Sequence, residues 1–376
     1  MNTKTRDVII VGGGVIGLMT ARALAKRGLT VTIVERSELG REASYAAGGI
    51  LAPQAEADCA DDFFKLACAS RDLYPALADS LLEETGIDIE LDQTGTLYLA
   101  FKDADEDELD KRFEWQAKAG LPLERLTRTQ ARELEPSINH EVRAALHFPR
   151  DIQVDNRRLL SALIASSKGE QVEVLTGLDV QSLQIQDGRV TGVATSTGLL
   201  ISNRVIIAAG AWSSLLLNSK SSPSFTITPI RGQIVCLQCE PERVRHVLYS
   251  PRGYIVPRLD GRMLAGSTSE SEGFNKQVTV GGVASILEHA LEIAPDFVSL
   301  PIVDTWAGLR PQAQDHYPVL GPSEIEGLFF ATGHFRNGIL LAPITAELLA
   351  DMVASNVISP LLNRFAPNRF DLVAAE

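Results

Sequence analysis

The chain has 376 residues, 45% hydrophobic and 22% charged, with 35 basic against 48 acidic side chains and a formal net charge of −13. At ~150 residues per domain this length predicts two cooperating domains, and the composition excludes a disordered or collagen-like chain. Net acidity without a basic cluster argues against a nucleic-acid or anionic-membrane partner.

Four scattered cysteines, Cys59, Cys68, Cys236 and Cys239, fit a reducing cytosol better than a disulfide scaffold, so a cytoplasmic protein is expected. The stretch 8–25 is apolar enough to resemble a signal sequence or membrane span. It holds Gly12, Gly13, Gly14, Gly17 and Arg22, however, and never reaches eighteen uninterrupted apolar residues, so no span is expected.

In chain order, residues 7–11 read as a short apolar strand of the kind buried on both faces of a parallel sheet. Residues 15–26 have helical spacing with Leu18, Ala21 and Ala25 on one face, Gly28 ends that helix, and 30–34 form a second strand closing at Glu35. Residues 36–53 are loop-like and rich in small side chains, and 63–84 return to helix with a break near Pro75. A strand is predicted at 95–101, a charged amphipathic helix at 103–118, a helix capped by Asp155 running to 167, and a parallel strand at 172–175. Hairpins are predicted at Asp187-Gly188 and Asp260-Gly261. A buried strand follows at 204–210, then a strand at 328–332, a loop through Arg336 and a helix over 338–354. Parallel-type strands at both ends, with antiparallel signals between, predict a nucleotide domain assembled from separated segments and a second domain inserted into it.

The chemistry begins at Gly12-Gly13-Gly14-Val15-Ile16-Gly17. Gly12 allows the tight turn after the strand, Gly14 lets a pyrophosphate approach, and Gly17 lets helix and strand pack closely. The helix start offers unpaired N–H groups to phosphate. Glu35 stands eighteen residues after Gly17, where a carboxylate can accept ribose hydroxyls. That acid serves NAD and FAD alike, and a glycine-rich turn without ligand is the bland alternative. The small residues from Arg41 to Gly49 would let a long cofactor lie along the backbone.

Arg310 lies in Trp306-Ala307-Gly308-Leu309-Arg310-Pro311, a cation among apolar residues that needs an anionic partner. Its planar fork suits a bound carboxylate; on these residues alone a structural pair with an internal Asp or Glu is favoured. Tyr254 reads either as a hydroxyl donor or as an ordinary strand tyrosine. If Gly338 opens the last helix, the positive end of that helix faces whatever lies before it; an ordinary capped helix reads equally well. Cys236 and Cys239 would fall on opposite faces of a strand. The six histidines show no ligand spacing, so no metal is expected. The acidic run 103–110 is explained as a solvated helix face.

The segments 44–56, 253–258 and 306–311, and above all Gly333-His334-Phe335-Arg336-Asn337-Gly338-Ile339-Leu340-Leu341-Ala342-Pro343, carry a resemblance that runs from Asp7 to about Met352. The chain resembles the D-amino-acid oxidase superfamily of FAD-dependent oxidoreductases, most closely its bacterial glycine oxidases. The resemblance implies an α/β fold: a Rossmann-like FAD-binding domain (1–84, 146–222 and 316–376) interleaved with an antiparallel-sheet, α+β substrate domain (85–145 and 223–315).

It further implies non-covalent FAD at Gly12, Gly14, Val15, Ile16, Gly17, Glu35 and Arg36, with Ala43 and Ser44 at the pyrophosphate and Gly48, Gly49 and Ile50 along the flavin. Val180 would touch the adenine through its backbone, and Gly210 and Trp212 would close the nucleotide side. His334, Phe335, Arg336, Asn337, Gly338, Ile339 and Leu340 would complete the cofactor site. Arg310 and Tyr254 would grip a substrate carboxylate, with Arg336 near the amine side or the flavin edge, and no protein acid or base is expected.

The implied reaction is oxidation of a small amino acid (glycine, sarcosine or a small D-amino acid) by hydride transfer from Cα to flavin N5. Dioxygen would be reduced to hydrogen peroxide, and the imino acid product could serve thiamine thiazole synthesis. A dehydrogenase or oxidase of the same fold acting on a larger amine, a non-catalytic dinucleotide-binding module and a homo-oligomer stay open. Ile50 and Ser269 stand where some members carry methionines, and Arg252 where a histidine is expected, changes that bear on side-chain selectivity.

Overall fold

The computed structural model describes residues 6–216 and 225–370. Strand Val8–Val11, helix Val15–Lys26 and strand Val31–Glu35 open the chain. Every residue of both strands is buried, which is why their sequence is unbroken apolar and not alternating. They form the middle of a six-stranded sheet, ordered Val319–Pro322, Leu328–Thr332, Val205–Ile207, Val8–Val11, Val31–Glu35 and Val172–Thr176. All its pairings are parallel except the outermost, between Val319–Pro322 and Leu328–Thr332. Val8 and Ile10 join one core with Leu18, Leu24, Leu341 and Leu349, while Ile9 and Val11 join another on the opposite face.

The first core holds helix Gly338–Ser355, packed against Val15–Lys26. With the turn before it, this helix is long and apolar enough to cross a membrane (mean hydropathy 1.5), yet 67% of that stretch is buried inside the fold. Pro343 within it has no N–H to give the Ile339 carbonyl. The Tyr74 hydroxyl donates to that carbonyl instead, and Ser70 Oγ donates to the Leu340 carbonyl while accepting from Ile344 N–H. The proline is therefore tolerated because two neighbouring helices repair the ladder.

The second sheet has eight strands, ordered Ile302–Ala313, Ile227–Gln238, Arg262–Gly266, Tyr254–Pro257, Val247–Tyr249, Thr96–Ala100, Ala144–Phe148 and Glu124–Thr127. It is antiparallel apart from Val247–Tyr249 beside Thr96–Ala100. Helix Val280–Ile293 covers one face, with Ile286, Ala290 and Ile293 against Val235 and Leu237. Cys236 packs in the core on the other face, away from Cys239, and all four cysteines are free.

Several expectations are corrected. The stretch 36–53 is not plain loop: it holds helix Ala43–Ala46, strand Ile50–Leu51 and the start of helix Pro53–Glu56. The break expected near Pro75 in the helical stretch 63–84 is present, between helices Asp62–Arg71 and Tyr74–Thr85, with Pro75 in the first turn of the second, where its missing N–H does no harm. The strand expected at 204–210 stops at Ile207, and Gly210–Leu216 is a 3-10 turn. Strand Ala144–Phe148 crosses the expected domain edge at 145/146, and the edge at 222/223 lies outside the described residues.

Candidate functional site

A cavity of about 420 Å³ begins at the carboxyl ends of Val8–Val11 and Val31–Glu35 and is lined by residues of both large sheets. Gly12 makes the turn into it at φ +112°, and a β-carbon there would run into the Ala208 carbonyl. A β-carbon on Gly17 would run into the carbonyl of Gly12. Gly17 does not line the cavity, so it acts by seating the helix on the strand. Gly14 leaves the helix start bare, and the first-turn Val15 N–H donates to Ser44 Oγ at 3.0 Å. Glu35 accepts from Gly13 N–H at 2.8 Å on one carboxylate oxygen, which keeps a further lone pair, and from Ser37 N–H at 3.0 Å and Ser37 Oγ at 3.3 Å on the other.

The end of the cavity next to Glu35 is closed by stacking. The Arg36 guanidinium lies 3.6 Å over Trp212, and Trp212 stacks on Phe274 at 5.4 Å. Arg36 also pairs with Glu42 at 3.0 Å, which pairs with Lys276 at 2.9 Å. Phe274 and Lys276 give no signal in the sequence because they reach the site from the eight-stranded half. Val180 and Gly210 line this end as well.

The segment running through Ala43, Ser44, Gly48, Gly49 and Ile50 forms one wall and is held from outside. Asn156 Nδ2 donates to the Ser44 and Tyr45 carbonyls (2.8 and 3.1 Å), Arg258 donates to the Gly48 carbonyl at 2.7 Å, and Trp306 Nε1 donates to the Ala46 carbonyl at 3.1 Å. On the far wall His334, Phe335, Arg336, Gly338 and Ile339 line the cavity, whereas Asn337 and Leu340 do not. Leu340 is committed to the core, and Asn337 N–H is taken by the His334 carbonyl at 2.9 Å. His334 Nε2 lies 3.1 Å from Thr345 Oγ1, and burial pushes its imidazole down to about 3, so it is neutral.

Arg310 projects from the edge strand Ile302–Ala313 across Gly232 of the neighbouring strand, where a β-carbon would collide with the guanidinium. It donates to the Thr268 carbonyl at 2.9 Å and to Ser267 Oγ at 2.8 Å. Among the described residues no carboxylate pairs with it, and burial pulls it below the ordinary guanidinium range. Tyr254, cross-strand from Gly266, lays the hydroxyl end of its ring over that glycine, and the same end lies 3.5 Å from the β-position of Gly48. Arg336 donates to Tyr249 Oη at 3.1 Å, and the nearby Tyr249 and Glu56 hold it above its usual range.

A second chamber of about 340 Å³ shares Arg310, Tyr254, Arg336, Glu56 and Ser267 with the main cavity. Ile50 lines the main cavity and Ser269 the chamber; Arg252 lines the chamber but is bound by Asp105 at 2.7 Å and Glu292 at 2.5 Å. Glu56, Tyr249 and Ser267 were not singled out from the sequence. Only the cross-strand glycines Gly232 and Gly266 hint that large side chains lie over them.

Helix Pro53–Glu56, which carries Glu56, is fixed by fully buried Asp151, whose oxygens accept from Gln54 N–H at 3.2 Å and Ala55 N–H at 2.9 Å. Burial pushes that carboxyl from 3.8 up to about 7, against these two donors and Arg71, with Glu56 adding to the rise. The folded chain then holds a proton between pH ~4 and ~7 that the unfolded chain has lost, so this group's contribution to stability falls as pH rises through that window. Asp151→Asn, which loses one acceptor but cannot ionise, should be less stable than wild type at pH 5, and the gap should narrow by pH 8. Thermal melts across that range check it; a gap that is constant or widens removes the titration from Asp151.

A glycine floor, a bare helix start, an acceptor carboxylate and an aromatic cover fit an adenine dinucleotide. The FAD dependent oxidoreductase family matches residues 7–352. The chain is 37% identical over 357 residues to a glycine oxidase of Pseudomonas aeruginosa, covering 94% of this chain and 96% of that one. It is 36% identical over 378 residues to the bifunctional protein ThiO/ThiG of Trichormus variabilis, covering 99% of this chain but only 56% of that protein. The structure superposes on the crystal structure of glycine oxidase from Geobacillus kaustophilus with a TM-score of 0.93 at 35% identity, covering 98% of this chain and 99% of the other. The chain therefore belongs to the FAD dependent oxidoreductase family and is an FAD-dependent enzyme.

Proposed function

We propose that this enzyme oxidises a small amino acid, with glycine first and sarcosine or small D-amino acids next, to an imino acid, with dioxygen reduced to hydrogen peroxide. In this reading the six-stranded half carries the FAD and the eight-stranded half the substrate. The observation that carries it is Arg310: a half-buried guanidinium lining the cavity, bonded only to a hydroxyl and a carbonyl among the described residues. A cation so placed lacks the anion that would offset its desolvation, and a substrate carboxylate supplies it.

FAD, when bound, takes up the hydrogen and two electrons from the substrate Cα and passes the electrons to dioxygen. The chain's own residues bind and orient. Arg310, with the Tyr254 hydroxyl, would hold the carboxylate and so fix which Cα hydrogen faces the cofactor. The wall around Gly48 and Ile50, which lines the cavity, would help keep water from the reacting carbon. No side-chain acid or base is needed if the amine arrives neutral. Release of an imino acid is also what the expected place in thiamine thiazole synthesis requires.

The chamber beyond Arg310 supports a second reading, in which a larger or N-substituted amine is the better substrate. Oxygen uptake with glycine, sarcosine and D-alanine separates the two. The first reading expects kcat/KM for glycine to equal or exceed the others, with peroxide formed in step. Flavin-loaded protein inert toward all three would refute it.

A further inference from the structure

The charges around the substrate end leave one carboxylate unaccounted for. The chamber's outer cations are already neutralised: Arg112 by Asp58 at 3.0 Å and Glu108 at 3.1 Å, and Arg252 by Asp105 and Glu292. Glu56 stands at the junction, lining both the cavity and the chamber. Among the described residues it forms no ion pair, and the one hydrogen bond to its carboxylate is a long one, 3.5 Å, from the Tyr249 hydroxyl that Arg336 also donates to. Its charge acts on Arg336 and Arg310 through space. Among the described residues Arg336 is the one cation besides Arg310 that lines both spaces, and Glu56 is the carboxylate that offsets it.

We propose that Glu56 is a specificity-determining residue that sets the charge the substrate carries beyond its first carboxylate. With Arg310 engaged by that carboxylate, Glu56 admits a neutral or cationic amine arm and turns away a second anionic arm that Arg336 would otherwise attract. Amino acids with one carboxylate and N-alkyl glycines are accepted; amines bearing two carboxylates are rejected. The inference rests on the reading that Arg310 holds a carboxylate.

The test uses the flavin-loaded enzyme and two ligands that lack an amine, methoxyacetate and diglycolate, which differ by one carboxylate. Binding is followed by the change in visible absorbance. Wild type should bind diglycolate more weakly than methoxyacetate. In Glu56→Gln the ratio of the two Kd values should move toward diglycolate by ~10-fold, the effect of removing one like charge a few ångströms away at intermediate dielectric. Glu56→Asp should keep the wild-type order, and kcat/KM for iminodiacetate relative to sarcosine should rise in parallel in Glu56→Gln. A Kd ratio in Glu56→Gln within twofold of wild type overturns the proposal. If wild type oxidises glycine and the ratio does not move, the role of Glu56 falls alone. If the ratio moves but no amine is oxidised, the reaction reading fails and the role of Glu56 stands.

Discussion

Replacing Arg310 with leucine should lower kcat/KM for glycine by ~1,000-fold while flavin absorbance stays at full occupancy. The estimate takes two charge-assisted hydrogen bonds to the substrate carboxylate at ~2 kcal/mol each, with 1.36 kcal/mol per decade of rate. Flavin should remain because the guanidinium's own bonds go to Ser267 Oγ and the Thr268 carbonyl, and leucine removes a half-buried cation without stranding a charge. Anaerobic reduction by glycine, followed at the flavin bands, isolates the step from oxygen chemistry. Turnover within tenfold of wild type would mean that Arg310 is structural, the reading its sequence context alone favours.

Gly12→Ala should act at the opposite end of the cavity and fail differently, with protein that melts early and purifies largely without flavin. At φ +112° an added β-carbon meets the Ala208 carbonyl, which follows the parallel neighbour strand Val205–Ile207. Relief would require shifting that strand, so left-handed strain of ~1–3 kcal/mol is joined by overpacking of similar size. Gly28→Ala is the matched control: its φ is +84°, but nothing lies within 4 Å of the new β-carbon. That variant should lose ~1 kcal/mol and keep its flavin. Equal flavin content and melting in the two variants would show that the turn tolerates a side chain.

What the sequence reveals follows from how local the cause is. Helices Val15–Lys26 and Asp103–Lys118 and strand Leu328–Thr332 have the bounds their residues predict, because periodicity and punctuation suffice to define them. Strands Ile227–Gln238 and Ile302–Ala313 leave no such trace: the former is buried on both faces and shows no alternation. Helix Val280–Ile293 is masked by Gly281 and Gly282 in its first turn, and Thr279 stabilises that turn by accepting from Gly282 N–H at 3.1 Å. At the site, the glycine turn is local and legible. That no carboxylate pairs with Arg310 among the described residues is not, since its bonded surroundings come from the strand carrying Gly232 and the segment at 267–268. Glu56, Phe274 and Lys276 become visible only when distant segments meet.

The strand order of the six-stranded sheet has a consequence in time. Its central pair joins residues 8–11 to 205–207, and the next strand inward from the edge is 328–332. The helix whose start faces the cavity begins only at Gly338. A chain emerging from the ribosome thus makes its glycine turn early and must hold it, with apolar strands unpaired, until more than three hundred further residues have followed. Contacts so distant in sequence close slowly and expose unpaired strand edges meanwhile. Flavin capture is therefore expected late in the folding of this chain, and chaperone protection matters most for the early half of a site that helix Gly338–Ser355 completes.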